Sequence, residues 1–331
     1  MASTNEREWG THINALSTAF MKSHVLFAAN AAGVFALLEE PRGASEIAQR
    51  VGWDARAARI LLDALVSLEL IAQTGGLYRN APIASACLVP GKTGYQGNIV
   101  NHISNTVNQW VHVDETLRTG KALHGERHQR TPEELRAFIL GMNDIGRTSA
   151  REMLDVIDLS SFRNLLDVGG GPATYTIAFL AAHPAMRGTV FDRPDVLAIA
   201  REQVHEAGLD GRVSYAAGDL TTDPLGSGYD LILVSNIIHS YSSDTNGALV
   251  RKCFDALDSG GTLIIKDFLT ENDRSGPAFS LMFALRMLLA NGEGDTYSFA
   301  DIESWTQAAG FADGRVVDLT PQTRLWVVRK P

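Results

Sequence analysis

Three aspartates, a histidine and a run of glycines stand where this chain could do chemistry. Gly169, Gly170 and Gly171 follow the short apolar run Leu165, Leu166 and Val168, with Asp167 inside it. Glycines there let the backbone turn tightly and approach a ligand closely. Asp192 lies about 20 residues further on, where an acid can grip the hydroxyl pair of a ribose. Asp219 and its apolar neighbour Leu220 can bond an adenine amino group and pack against its ring. His239 belongs to the residue type most used for acid–base work near neutral pH. Taken alone it fits a structural role as well as a catalytic one.

The elements that must position these groups are legible as buried strands. Leu165 to Val168 reads as a strand covered on both faces, and Thr174 to Ala182 as the helix after the turn. A ligand should sit over the first turn of that helix. Thr189 to Phe191 is a second strand, ending in Asp192. RVSYAAGDL is a third, ending in Asp219 and Leu220. Tyr229 to Val234 is a fourth, with Ser235 and His239 just beyond it. GTLIIKDF is a fifth and carries Asp267 near its end. GRVVDL and LWVVRK, joined through Pro321, read as a terminal antiparallel hairpin. The fold class is α/β, a doubly wound parallel sheet with ligands at the carboxyl ends of its strands. Thr174 stands at the last position of the dinucleotide fingerprint G-x-G-x-x-G/A, so that fingerprint is incomplete.

The ordered set DVGGG, FDRP, GDL and a strand leading to histidine resembles the class I S-adenosylmethionine-dependent methyltransferases. More closely, the chain is similar to small-molecule O-methyltransferases of the caffeate/acetylserotonin type and their bacterial relatives. The resemblance implies a Rossmann-like sheet and S-adenosylmethionine as cofactor. It places Asp167, Gly169 and Gly171 at the cofactor, the glycines along its methionine part. Asp192 would hold the ribose, Asp219 and Leu220 the adenine, and Ser235 would touch the cofactor. His239 matches the catalytic base and Asp267 the first of two acids flanking it. The second acid is replaced near Thr296, beside Asp295, and Ala173 stands where the family often has a further glycine. Asn105, Met142, Asn143, Met282 and Met287 are the candidates for the acceptor pocket. Most methionines at such helical spacings pack in cores. A thioether also suits a flat aromatic acceptor.

Residues 1–100 are expected to form a winged-helix dimerisation domain. Residues 101–331 would hold a helical substrate-capping segment and the methyltransferase domain. In the first region Val25 to Leu38 reads as an apolar helix with Gly33 inside it. Ala44 to Val51 and Ala55 to Leu70 follow as helices. LIAQTGGLYRN reads as a hairpin with Gly75 and Gly76 at its tip. The second helix carries Arg56 and Arg59 but also Asp54, Asp63 and Glu69, which disfavours DNA. The apolar segments suit a homodimer. From Asn98 to Leu117, Asn98, Asn101, Asn105, Asn108 and His112 form a polar helical stripe opposite Ile103, Val107, Trp110 and Val111. A solvated face and the lining of a polar cavity both fit that stripe.

Composition bounds the partners. A net charge of −9 argues against nucleic acid or an anionic membrane. The start, MASTNEREWG, lacks the pattern of a signal peptide. Two cysteines, Cys87 and Cys253, suit a reducing cytoplasm. His12, His24, His124, His128, His183 and His205 follow no metal-ligand spacing, and direct methyl transfer to a small-molecule acceptor needs no metal. Two rivals remain: a methyltransferase-fold enzyme that performs hydroxylation, decarboxylation or a pericyclic step, and a winged-helix regulator.

Overall fold

A computed structural model describes residues 4–122 and 131–331; His124 and His128 lie outside the described residues. The chain divides into two compact units, Met1–Thr106 and Val107–Pro331.

The first unit opens with α1 (Thr4–Ala31) and the short α2 (Val34–Leu37). Gly33 is the break between them rather than a residue inside one helix. Its φ of 70° is left-handed, a conformation that ends a helix and that glycine adopts without strain. Strand β1 (Arg42–Gly43), α3 (Ala44–Val51), α4 (Ala55–Ser67), β2 (Ile71–Thr74) and β3 (Leu77–Asn80) give the expected helix–helix–wing pattern. The sheet order is β1-β3-β2. Asp54 caps α4 by accepting the Ala57 N–H at 2.9 Å. Gly75 and Gly76 turn the hairpin with φ of 59° and 80°, as a tight turn between twisted strands requires. Helices α5 (Pro82–Cys87) and α6 (Gly97–Asn105) complete the unit.

The polar stripe does not run as one helix. Thr106 caps α6, its hydroxyl donating to the Ile103 carbonyl at 2.7 Å. The chain then forms α7 (Val107–Val111) and, after a break at His112, α8 (Val113–Thr119). Asn101 accepts a bond from Asn30 at 2.7 Å, whereas Asn105 and Asn108 are exposed. Ile103 and Val111, on the side opposite that stripe, are 41% and 72% exposed. Two local helix ends, at Thr106 and His112, break the single helix that the stripe assumed.

The second unit continues with α9 (Pro132–Val156), started by a capping box between Thr131 and Glu134. Alternation of strand and helix follows: β4 (Asn164–Val168), α10 (Thr174–Ala182), β5 (Arg187–Asp192), α11 (Pro194–Glu206), β6 (Val213–Ala217), β7 (Tyr229–Ser235), α12 (Ser243–Ala256) and β8 (Leu257–Asp267). Helices α13 (Ala278–Asn291) and α14 (Phe299–Ala309) precede β9 (Ala312–Asp318) and β10 (Arg324–Arg329). The seven-stranded order is β6-β5-β4-β7-β8-β10-β9. The first five strands are parallel, and β10 joins both β8 and β9 antiparallel, as the terminal hairpin predicted. The third strand stops at Ala217, short of the expected Asp219: the Gly218 N–H makes the last ladder bond, to the Asp192 carbonyl at 3.1 Å, and the Asp219 N–H then turns away to the Asp223 carboxylate at 2.8 Å. Leu165, Leu231 and Ile264 face one buried layer, and Leu166, Ile232 and Leu263 the other. This two-sided burial fixes the strand ends where the candidate residues cluster.

Candidate active site

The glycine turn after β4 is shaped by three different constraints. Gly169 and Gly171 have φ of 66° and 55°. At Gly170 a side-chain carbon would stand 2.9 Å from Asp167 and from Val190. At Gly171 it would meet nothing within 4 Å, so the turn presents an open edge of bare backbone. Ala173, where the family often has glycine, is also left-handed at φ 62° and is fully buried. An alanine held there carries a strain of about 1 kcal/mol.

Asp192 closes that edge from β5. Its Oδ2 accepts the Gly171 N–H at 2.9 Å and its Oδ1 accepts the Arg193 N–H at 2.8 Å. Burial pushes its carboxyl above the usual range, while the Gly171 and Arg193 N–H groups pull it down. Each oxygen keeps acceptor capacity for a further donor. Asp167 sits under the turn. It is 1% exposed, accepts the Thr176 hydroxyl at 2.8 Å, and burial lifts its carboxyl to about 6. It thus supports the turn from beneath instead of lining the open edge. Asp219 is exposed and accepts from the Thr221 N–H and hydroxyl at 2.8 and 2.6 Å. Leu220 packs against the core beside the glycine turn, and its carbonyl accepts from Lys252 Nζ at 2.6 Å. Ser235 is half-buried at the end of β7.

His239 stands in a single 3₁₀ turn, Ile238–Ser240, directly after β7. Its Nδ1 is 2.8 Å from Oδ1 of Asp267 at the end of the neighbouring β8. Asp267 Oδ1 also accepts the Phe268 N–H at 2.8 Å. A carboxylate only accepts, so Nδ1 carries the proton of this bond, and in the neutral imidazole the lone pair is then on Nε2. Side chains from α12, α13 and the segment after α13 pin the backbone of this turn. Asn246 donates to the Ile238 carbonyl, Asn291 to that of Ser240, and the Tyr297 hydroxyl to that of Tyr241.

No second acid reaches the histidine among the described residues. Thr296 is buried and donates to the Ser280 carbonyl, and the Asp295 carboxylate turns outward to Arg274 at 2.8 Å. Aromatic rings border the histidine. Phe283 meets the His239 ring edge-on at 5.0 Å between centroids, and Phe268 lies at 6.0 Å. Phe279 joins them and is 39% exposed. The sequence reading missed Phe268 and Phe279; the signal was the Asp-Phe pair at the end of β8. Met287 is buried in this cluster and Met282 on the same helix is 59% exposed. Met142 is half-buried on α9. Asn143 is drawn elsewhere, accepting the Thr174 hydroxyl at 2.7 Å and donating to Gln203 at 3.2 Å. The structure thus packs Met287 against the Phe268 and Phe283 rings that flank His239, ties Asn143 to α10 and α11, and leaves Asn105 exposed in the first unit.

An open glycine edge, a semi-buried carboxylate with spare acceptors and an apolar shelf suit a nucleoside bearing a short chain without phosphates. The comparisons agree with that chemistry. An O-methyltransferase domain model matches residues 103–312 and an O-methyltransferase dimerisation domain model matches residues 14–90. The chain belongs to this family of S-adenosylmethionine-dependent O-methyltransferases. It is 36% identical to a 3-hydroxy-5-methyl-1-naphthoate 3-O-methyltransferase of Streptomyces sahachiroi, over 93% of this chain and 91% of that one. It is 31% identical to the tetracenomycin polyketide synthesis 8-O-methyl transferase of Streptomyces glaucescens, over 96% and 95%. Among solved structures, human N-acetylserotonin methyltransferase in complex with S-adenosylmethionine superposes with a TM-score of 0.90 at 26% identity, covering 100% of this chain and 99% of that one.

Proposed function

We propose that this enzyme methylates a phenolic or enolic hydroxyl of a small planar acceptor, with His239 as the general base. The 2.8 Å contact between His239 Nδ1 and Asp267 carries the reading. It presents Nε2 as a proton acceptor beside an aromatic wall that a flat ring can pack against. S-Adenosylmethionine supplies an electrophilic methyl group when bound. Asp192 would hold its ribose hydroxyls, Leu220 and Asp219 its adenine, and the Gly169–Gly171 edge its amino-acid part.

The remaining work belongs to the chain. The aromatic cluster excludes water and orients the acceptor, and alignment of two bound reactants can lower a barrier by roughly 7–11 kcal/mol. His239 takes the hydroxyl proton onto Nε2, which contributes about 10²–10⁴-fold for a weakly acidic phenol. Asp267 holds the ring in one tautomer and stabilises the imidazolium that forms. The acceptors named for the two Streptomyces relatives support an aromatic hydroxyl here.

The same reading includes a homodimer. Trp9, Ile13, Leu16 and Phe20 are 65%, 59%, 62% and 57% exposed along α1. Their spacing places them on one stripe of the helix. The dimerisation-domain match and this stripe support a two-fold partner on α1. Binding of duplex DNA is disfavoured by α4, where Arg59 is paired with Asp63 at 2.7 Å. Among the described residues no helix is long and apolar enough to cross a membrane. Incubation with methyl-labelled S-adenosylmethionine and matched phenols, anilines and thiols tests the assignment. Label in the phenols supports it. Label confined to nitrogen or sulfur, or cofactor binding with no transfer to any of them, overturns it.

A further inference from the structure

Lys266 is 1% exposed and ranks among the largest fully buried side chains of the protein. It lies on β8 between β7 and β10, opposite Ser235 and Leu325. A buried ammonium is costly unless its neighbours offset the lost hydration. Among the described residues its Nζ has one hydrogen-bond acceptor, Asn236 Oδ1 at 2.8 Å. The ring of Tyr175, in the first turn of α10, lies 5.7 Å away. The Lys266 carbonyl meanwhile accepts the Asn236 N–H at 2.8 Å. One lysine therefore grips both the backbone and the side chain of Asn236.

Asn236 is where β7 ends and the histidine turn begins. Its φ is +57°, the left-handed region, which asparagine enters more readily than other residues with a side chain when its amide is hydrogen-bonded, as it is here to Lys266. The next residue, Ile237, lies against Gly169 of the glycine turn, and His239 follows two residues later. Lys266 and Asp267 are consecutive on one strand. The first holds Asn236 and the second holds His239, so the two anchor both ends of the segment that presents the base.

We infer that Lys266 is a positioning residue for the methyl-transfer reaction: its ammonium and carbonyl together hold Asn236 in the left-handed conformation that aims His239. The inference rests on His239 acting as the base. A loss of aim lowers the catalytic rate more than binding, because the reacting atoms must lie within a fraction of an ångström of their productive places. Methionine has a similar straight stem without the charge, so Lys266→Met keeps the packing.

The test is a double-mutant cycle in the full-length enzyme. Lys266→Met should keep its melting temperature and its affinity for S-adenosylmethionine, lower kcat by about 10- to 100-fold, and leave the acceptor KM within about threefold. Asn236→Gly removes the need for the clamp, since glycine enters the left-handed region freely. In the N236G background Lys266→Met should therefore change kcat by less than about threefold. Lys266→Leu, which also lacks a donor, provides the same comparison should the methionine variant not fold. An unchanged kcat in folded Lys266→Met overturns the inference, and so does an equal loss in both backgrounds. His239→Ala is measured alongside. If it loses activity while Lys266→Met does not, only the lysine assignment falls. If neither loses activity, the base assignment falls with it.

Discussion

His239 and Asp267 come from the ends of adjacent parallel strands and meet at 2.8 Å, Nδ1 to Oδ1, although 28 residues separate them. The pairing leaves one imidazole nitrogen for the acceptor. Among the described residues Asp267 is the one acid bonded to this imidazole. Phe268 and Phe283 flank the ring, at 6.0 and 5.0 Å between centroids, and restrict the imidazole by packing.

Asp192 gives the first prediction. Its oxygens accept from Gly171 and Arg193 and are placed to accept ribose hydroxyls as well. Hydrogen bonds to a charged group contribute about 1.5–3 kcal/mol each. Asp192→Ala should weaken S-adenosylmethionine binding by at least about tenfold in titration calorimetry while the variant remains folded. Unchanged affinity would refute the ribose assignment.

The strand, glycine turn and helix beneath this site were legible from residue types alone. The bounds of α10 and the strand before it are set by a local pattern, apolar strand then glycines then helix formers. Asp267 could be paired with His239 only through the family resemblance, because no local spacing links them. The rest depended on events that periodicity does not carry. Gly33 ended a helix through its φ, and Thr106 ended another by bonding its hydroxyl back to Ile103. Asn143 looked like a pocket residue, yet two partners from α10 and α11 claim its amide. The aromatic wall combines Phe268 from β8's end with Phe279 and Phe283 from α13, a contact made only in three dimensions.

Asp167 predicts a pH dependence of stability. Burial raises its carboxyl from 3.8 to about 6 in the fold. The folded state thus holds the proton more tightly than the unfolded chain. The stability this group contributes is complete below about pH 4 and is lost as pH rises through about 6. Asp167→Asn cannot ionise, so it should exceed the parent's stability at about pH 7.5, by up to roughly 3 kcal/mol. The gap should close as pH falls toward about 4. Thermal melts of both proteins across this range check it; a gap that stays constant or widens in acid would contradict the assignment.

The α1 stripe predicts the oligomeric state. Four large side chains more than half exposed on one helical face need a partner surface. Ile13→Glu combined with Phe20→Glu should convert a dimer to monomers at micromolar concentration. Light scattering after size exclusion reads the mass directly. A parent chain that is already monomeric, or a double variant that stays dimeric, would remove α1 from the interface.

The central claim is that His239 removes the acceptor proton. Its most direct test is kcat of His239→Ala against the parent over phenols of graded acidity at fixed pH, with saturating S-adenosylmethionine. For a phenol with pKa near 10 the variant should be slower by about 10²–10⁴-fold. The loss should shrink steadily for more acidic phenols, which ionise without help, and Asp267→Asn should show the same trend with a smaller amplitude. Near-normal rates on the weakest acid, or one constant loss across the whole series, would show that His239 only shapes the pocket.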